Sequence, residues 1–201
     1  MNHALSRSSL RIVAAAFVLT AMAVASLAQT SKQARTPKVD LAFTFAVDRT
    51  NEVHNANQWI AGGSDTLGVD AWHGLGIAAS VTGLTTSSIG SQGLPLNFVI
   101  TTFGPRYRRS RLRANCSGLS FYGEGLLGEA NGFKSTFAST NSVTDSSSVL
   151  AVQVGGGADY YFGSRLGIRL VDAHWIRTQF ANGTTNEQNH LQLGAGVVIR
   201  F

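Results

Sequence analysis

Six ionisable residues stand singly in stretches that otherwise alternate bulky apolar with smaller side chains: Asp40, Asp48, Glu124, Asp159, Arg169 and Arg200. In an extended chain all six fall on the face opposite the main series of Phe, Leu, Ile and Val. Asp172 and His174 join them if the chain bulges where Leu170 and Val171 stand side by side. Charges drawn out of water must pair, because an isolated one costs several kcal/mol. The set can therefore be a salt-bridge plug, or an ion path gated by the same groups. Glu124 is expected to share its pair with Arg169 or Arg200. A second cluster, RYRRSRLR, holds Arg106, Arg108, Arg109, Arg111 and Arg113. It reads as a solvated basic turn, or as a grip on phospholipid phosphates, which guanidinium forks fit well.

What must position these groups is a run of two-faced strands. In 190–201, Leu191, Leu193, Ala195, Val197, Ile199 and Phe201 share one face, and only Val198 breaks the alternation. The segment 39–49 is as regular, with Val39, Leu41, Phe43, Phe45 and Val47 on one side. Between them the alternation predicts strands at 58–69, 75–84, 94–107, 119–130, 149–162 and 166–178, eight in all. Polar connections at 50–57, 85–93, 131–148 and 179–188 are long, whereas those at 70–74 and 163–165 are short. The basic connection at 108–118 is longer than that pattern wants. Gly155-Gly156-Gly157 falls inside a strand with no helix after it. It marks close packing or a bend in the wall, not a phosphate loop.

No segment after Ala28 repeats apolar residues at helical spacing for more than a turn or so. Twenty-two glycines, three prolines and few charges point the same way, to an all-β chain. Residues 1–28 read as a cleaved secretory signal: Arg7 and Arg11, the apolar run 12–27, and the small residues Ser26 and Ala28. Residues 29–38 read as a flexible lead-in. The leader's two arginines take the formal charge from +5 to +3 on removal, and no nucleic-acid motif is present. The lone Cys116 excludes a disulfide scaffold. No cofactor or metal is expected.

Bulky apolar groups on one face and small polar ones on the other suit a narrow tube in lipid. A last strand paired with the first would leave no open edge. The leader, the eight alternating strands and the terminal Ile199 and Phe201 resemble the bacterial outer-membrane β-barrel family, in particular the eight-stranded transmembrane domain of outer membrane protein A. The resemblance implies an eight-stranded antiparallel up-and-down transmembrane barrel over 39–201, resident in the outer membrane. It also implies that Ile199 and Phe201 signal to the barrel-assembly machinery, and that the basic stretch at 106–113 is periplasmic. Outer-membrane lipids are the expected surroundings, and a monomer the expected state. Aromatic girdles are expected from Trp59, Phe133 and Phe180 at the outer rim, and from Trp72, Tyr107, Tyr160, Phe162 and Phe201 at the periplasmic rim. The chain ends at Phe201, so the peptidoglycan-binding domain of larger relatives is not expected.

The expected function is structural or surface-binding and non-enzymatic, with a narrow pore as an option. The alternative is a lipid A acyl hydrolase or transferase, and a third is a soluble exported barrel with an apolar ligand. The hydrolase pattern sets His and Ser two apart on a late strand. Here His174 precedes Trp175-Ile176, and His190 precedes Leu191-Gln192.

Overall fold

A computed structural model describes residues 39–53, 56–89, 94–135, 144–180 and 187–201. The leader and lead-in expected at 1–38 lie outside the described residues. Eight strands follow in chain order: β1 (Val39–Val53), β2 (Ala56–Trp72), β3 (Leu75–Ile89), β4 (Leu94–Leu112), β5 (Gly118–Ser135), β6 (Thr144–Tyr161), β7 (Leu166–Thr178) and β8 (Gln188–Arg200). Each pairs antiparallel with the next, and β8 pairs with β1 from Arg200 against Asp40 to His190 against Thr50. The barrel is closed, so neither terminal strand is left as an open edge.

The strands run longer than the alternation of apolar residues predicts. β4 continues to Leu112 and β5 starts at Gly118, which reduces the long basic connection to 113–117. Ser110 and Ser120, opposite each other, share a hydrogen bond of 2.8 Å across that extension. Polar residues hide such extensions, because inter-strand pairing needs only backbone groups. The β2–β3 connection is also tighter than expected. His73 and Gly74 both have positive φ, 50° and 85°, as a two-residue hairpin turn matched to strand twist demands. A Cβ on Gly74 would stand 2.1 Å from the carbonyl oxygen of Arg108, whose N–H donates to the Gly74 carbonyl at 2.7 Å.

The register slips at Leu170 and Val171: Ala158 faces Val171, and Asp159 faces Arg169. Both bulge residues point outward, and the bulge brings Asp172 and His174 to the inside. The exterior carries the large apolar side chains, among them Phe45, Ile77, Phe103, Leu127 and Val197. Trp59 and Trp72 are exposed near opposite ends of β2, and Tyr107, Tyr160 and Phe162 lie at the end with the short turns. Phe201 follows β8 and is exposed. The side chain of Phe133 lies outside the described residues.

Phe180 departs from the expected outer girdle: it is buried, 2 % exposed. Gln188 accepts from its backbone N–H and donates to its carbonyl, each at 2.7 Å, which turns the ring inward. There it joins Ile60, Leu84, Phe98, Ile100, Ala130, Ala151 and Ile176 in an apolar cluster at the end of the barrel away from the His73–Gly74 turn. The interior is thus not uniformly small and polar.

Candidate functional site

The interior divides into the apolar cluster at the loop end and a charged network toward the turn end. All six ionisable residues singled out in the sequence lie inside: Asp40, Asp48, Glu124, Asp159, Arg169 and Arg200 are each buried. The structure adds Arg106 and Arg108, which do not lie in a basic turn. They sit on β4, 1 % and 5 % exposed, with side chains directed into the barrel. A run of arginines looks like a solvated turn, but in a strand the even-numbered ones share the face of Ile100 and Thr102. Arg109, Arg111 and Arg113 remain exposed at the turn end.

Arg106 is central. Its Nη1 donates to Asp40 Oδ1 at 3.0 Å and its Nε lies 3.6 Å from Glu124 Oε2. Arg108 Nη1 holds the other Asp40 oxygen at 2.7 Å and lies 3.8 Å from Asp70, while its Nη2 lies 3.9 Å from Asp159. Arg169 Nε donates to Asp159 Oδ1 at 2.9 Å, with Asp172 at 3.8 Å from its Nη1. His174 links the two sides, 3.1 Å from Glu124 and 3.5 Å from Asp172. The Glu124 partners are therefore Arg106 and His174, in place of the expected Arg169 or Arg200. Arg200 instead lies 3.3 Å above the Tyr161 ring, with Ser110 and Ser120 within 3.5 Å.

Tyr122 sits between two cations: the guanidinium carbons of Arg106 and Arg169 are each 4.4 Å from its ring centre, and its hydroxyl donates to Asp172. Four guanidiniums (Arg106, Arg108, Arg169, Arg200) and five carboxylates (Asp40, Asp70, Glu124, Asp159, Asp172) share this end of the barrel with His174, so opposite charges largely offset one another. Glycines make the room. A Cβ on Gly68 would stand 1.8 Å from Arg106 Nη1, and one on Gly155 would stand 2.2 Å from the His174 ring. That close approach is the reason for glycine inside β6 at 155.

Nearer the loops, Asp48 Oδ1 lies 3.4 Å from His190 Nδ1, and His190 Nε2 lies 3.2 Å from the Thr178 hydroxyl. The order is that of a charge-relay triad with threonine in the nucleophile's place. All three side chains are fully buried, with Phe98 against the His190 ring, so no ester reaches the hydroxyl in this conformation. Among the described residues no cluster of His, Cys, Asp and Glu has the geometry to hold a metal.

No protein-family sequence model matches the chain, and a comparison with curated proteins finds no match. Solved structures do. Ail, the attachment invasion locus protein of Yersinia pestis, superposes with a TM-score of 0.56 at 18% identity, over 83% of this chain and 100% of that one. Ail in complex with the heparin analogue sucrose octasulfate gives 0.54 at 17%, over 83% and 100%. Neisserial surface protein A gives 0.53 at 14%, over 81% of this chain and 97% of its own. At such identities the likeness is one of fold. With its closed ring of eight antiparallel strands, the chain has the fold of the small bacterial outer-membrane barrels.

Proposed function

We propose that the chain spans the outer membrane as a sealed barrel with a structural or surface-binding role carried by its outward connections, of which 136–143 and 179–187 are long, whereas strand extension cuts the expected 50–57 and 85–93 loops to 54–55 and 90–93. The support is physical. Large apolar side chains ring the exterior, where water would disfavour them and hydrocarbon would not. In this reading the end with long loops faces outward and the short turns face the periplasm. Arg109, Arg111 and Arg113 then meet inner-leaflet phosphates just beyond Tyr107. Ile199 and Phe201 present the closing strand to the assembly machinery.

The observation that carries the non-pore reading is the pair of obstacles in series: the apolar cluster, then the ion-paired network. An ion entering from the loops meets an apolar constriction whose neighbouring polar groups, Asp48, His190, Thr178 and Gln188, are already engaged within the protein, and beyond it charges already paired. Reconstitution into planar bilayers is expected to give no conductance steps, with a heat-modifiable band showing that the barrel is folded. Discrete steps would overturn the sealed-lumen reading. Release or transfer of acyl chains on lipid A by the same preparation would replace the proposal with the enzyme alternative.

A further inference from the structure

The middle of the exterior wall carries a group that hydrocarbon does not suit. Asp65 lies on the outward register of β2, half-buried, six residues after Trp59 and seven before Trp72. At about 3.3 Å per residue and a tilt of about 40°, that is about 15–18 Å from either tryptophan, the depth of the bilayer midplane. Its cross-strand neighbours are Phe43 on β1 and Val81 on β3. Among the described residues no cation pairs with it and no side chain donates to it. Of the other exposed charges among the described residues, Arg49, Arg109, Arg111, Arg113, Arg165 and Glu187 lie toward the strand ends or turns, and Glu129, six residues from the end of β5, is hydrogen-bonded by Ser148. A carboxyl facing lipid at this depth is costly and usually serves a contact.

The surface beside it is hollowed. Gly63 and Gly83 face each other across β2 and β3 on the same outward register. A Cβ on Gly83 would meet nothing within 4 Å, and one on Gly63 only the Thr44 carbonyl at 3.7 Å. Internal packing therefore does not require glycine at either position, unlike Gly68. On the other flank of β2, directly across from Gly63, Phe45 projects with 64 % of its surface exposed. A knob on β1, a hollow at β3 and an unpaired carboxyl between them share one face.

We propose that this face is the contact between two copies of the chain in the membrane, related by a two-fold axis parallel to the barrel axes and passing in front of β2. Such a rotation exchanges the two flanks, so each Phe45 meets the other copy's Gly63–Gly83 hollow. It also brings Asp65 against Asp65, and facing carboxyls can share protons as donor and acceptor. A lipid tail offers no hydrogen bond, whereas a second copy completes both the shape and the polar pairing. The proposal rests on the membrane-spanning reading and departs from the expected monomer.

The test uses the full mature chain, labelled at Cys116 with donor or acceptor dye, in phosphatidylcholine–phosphatidylglycerol vesicles over a range of lipid-to-protein ratios. Energy transfer is expected to rise as lipid is removed. Asp65→Leu and Gly83→Leu should each weaken association by about tenfold or more, Asp65→Asn by no more than about threefold, and Val154→Leu on the far wall not at all. Heat modifiability shows that each variant is folded, which the open space at Gly83 leads one to expect. Transfer that stays at the random level for the wild type, or that neither leucine substitution reduces, overturns the dimer. Failure of the folded protein to enter vesicles at all would instead overturn the membrane reading beneath it.

Discussion

Arg106 offers the sharpest test of the interior. It is 1 % exposed, and its guanidinium serves Asp40 at 3.0 Å, Glu124 at 3.6 Å and the face of Tyr122 at 4.4 Å. Arg106→Met keeps the stem and removes the charge. Asp40 retains Arg108 at 2.7 Å, but Glu124 is left with His174 alone. Breaking a buried pair by removing one partner costs about 3–5 kcal/mol, chiefly through the charge left behind. Loss of the stacked cation from Tyr122 adds about 0.5–2 kcal/mol. Glu124→Gln should cost less than Arg106→Met, since Arg106 keeps Asp40. The double variant Arg106→Met/Glu124→Gln should recover at least about 1 kcal/mol relative to the sum of the singles, because the orphaned carboxylate is gone. The assay is urea unfolding of the barrel in lipid vesicles, monitored by tryptophan emission. Glu187→Gln is the control: its partner Arg177 is 39% exposed, and such a pair contributes about 0–1 kcal/mol. Strict additivity of the two interior substitutions, or an Arg106 effect no larger than that of Glu187→Gln, would refute the network argument.

Gly68→Ala would press a methyl group against Arg106 and Asp40 and should cost about 1–3 kcal/mol in the same assay, whereas Gly83→Ala should change stability by less than about 0.5 kcal/mol. Phe180→Ala should cost about 3–5 kcal/mol by emptying the apolar cluster, and hydrogen exchange should quicken first in β7 and β8 next to the loops. Deleting Phe201 should hurt assembly more than stability: its ring contributes about 1.5–3 kcal/mol by burial against lipid. The shortened chain should still refold in micelles but be scarce in cellular outer membranes, and normal levels there would remove the case for an assembly signal.

Much of the fold is legible in local sequence because a strand writes its two environments into residues two apart. The matching alternation of 39–49 and 190–201 requires partners for both ends, and the observed pairing of β1 with β8 supplies them. The adjacent Leu170 and Val171 show the bulge, since two large apolar residues cannot both face lipid in regular register. The same rule places Asp40, Asp48, Glu124, Asp159, Arg169 and Arg200 inside. It also places Arg106 and Arg108 there, on the register of Ile100 and Thr102, although the density of arginines by itself resembles a solvated turn.

Which charge meets which is not legible, because pairing across a lumen depends on separations the chain does not encode locally. Arg106 and Asp40 lie 66 positions apart, and Tyr122 and Asp172 lie 50 apart. Strand stagger sets their relative heights, and glycines such as Gly68 decide whose side chain has room. Phe180 shows the same limit. As an aromatic near a strand end it suits a girdle, and only the amide of Gln188, brought opposite by the β7–β8 pairing, turns it into the barrel. Period-two patterning determined the strands, their faces and the closure of the ring, because each residue's choice between lipid and lumen is made locally. The tertiary structure alone decided the ion pairs and the apolar seal, because these depend on how eight strands are staggered around one axis.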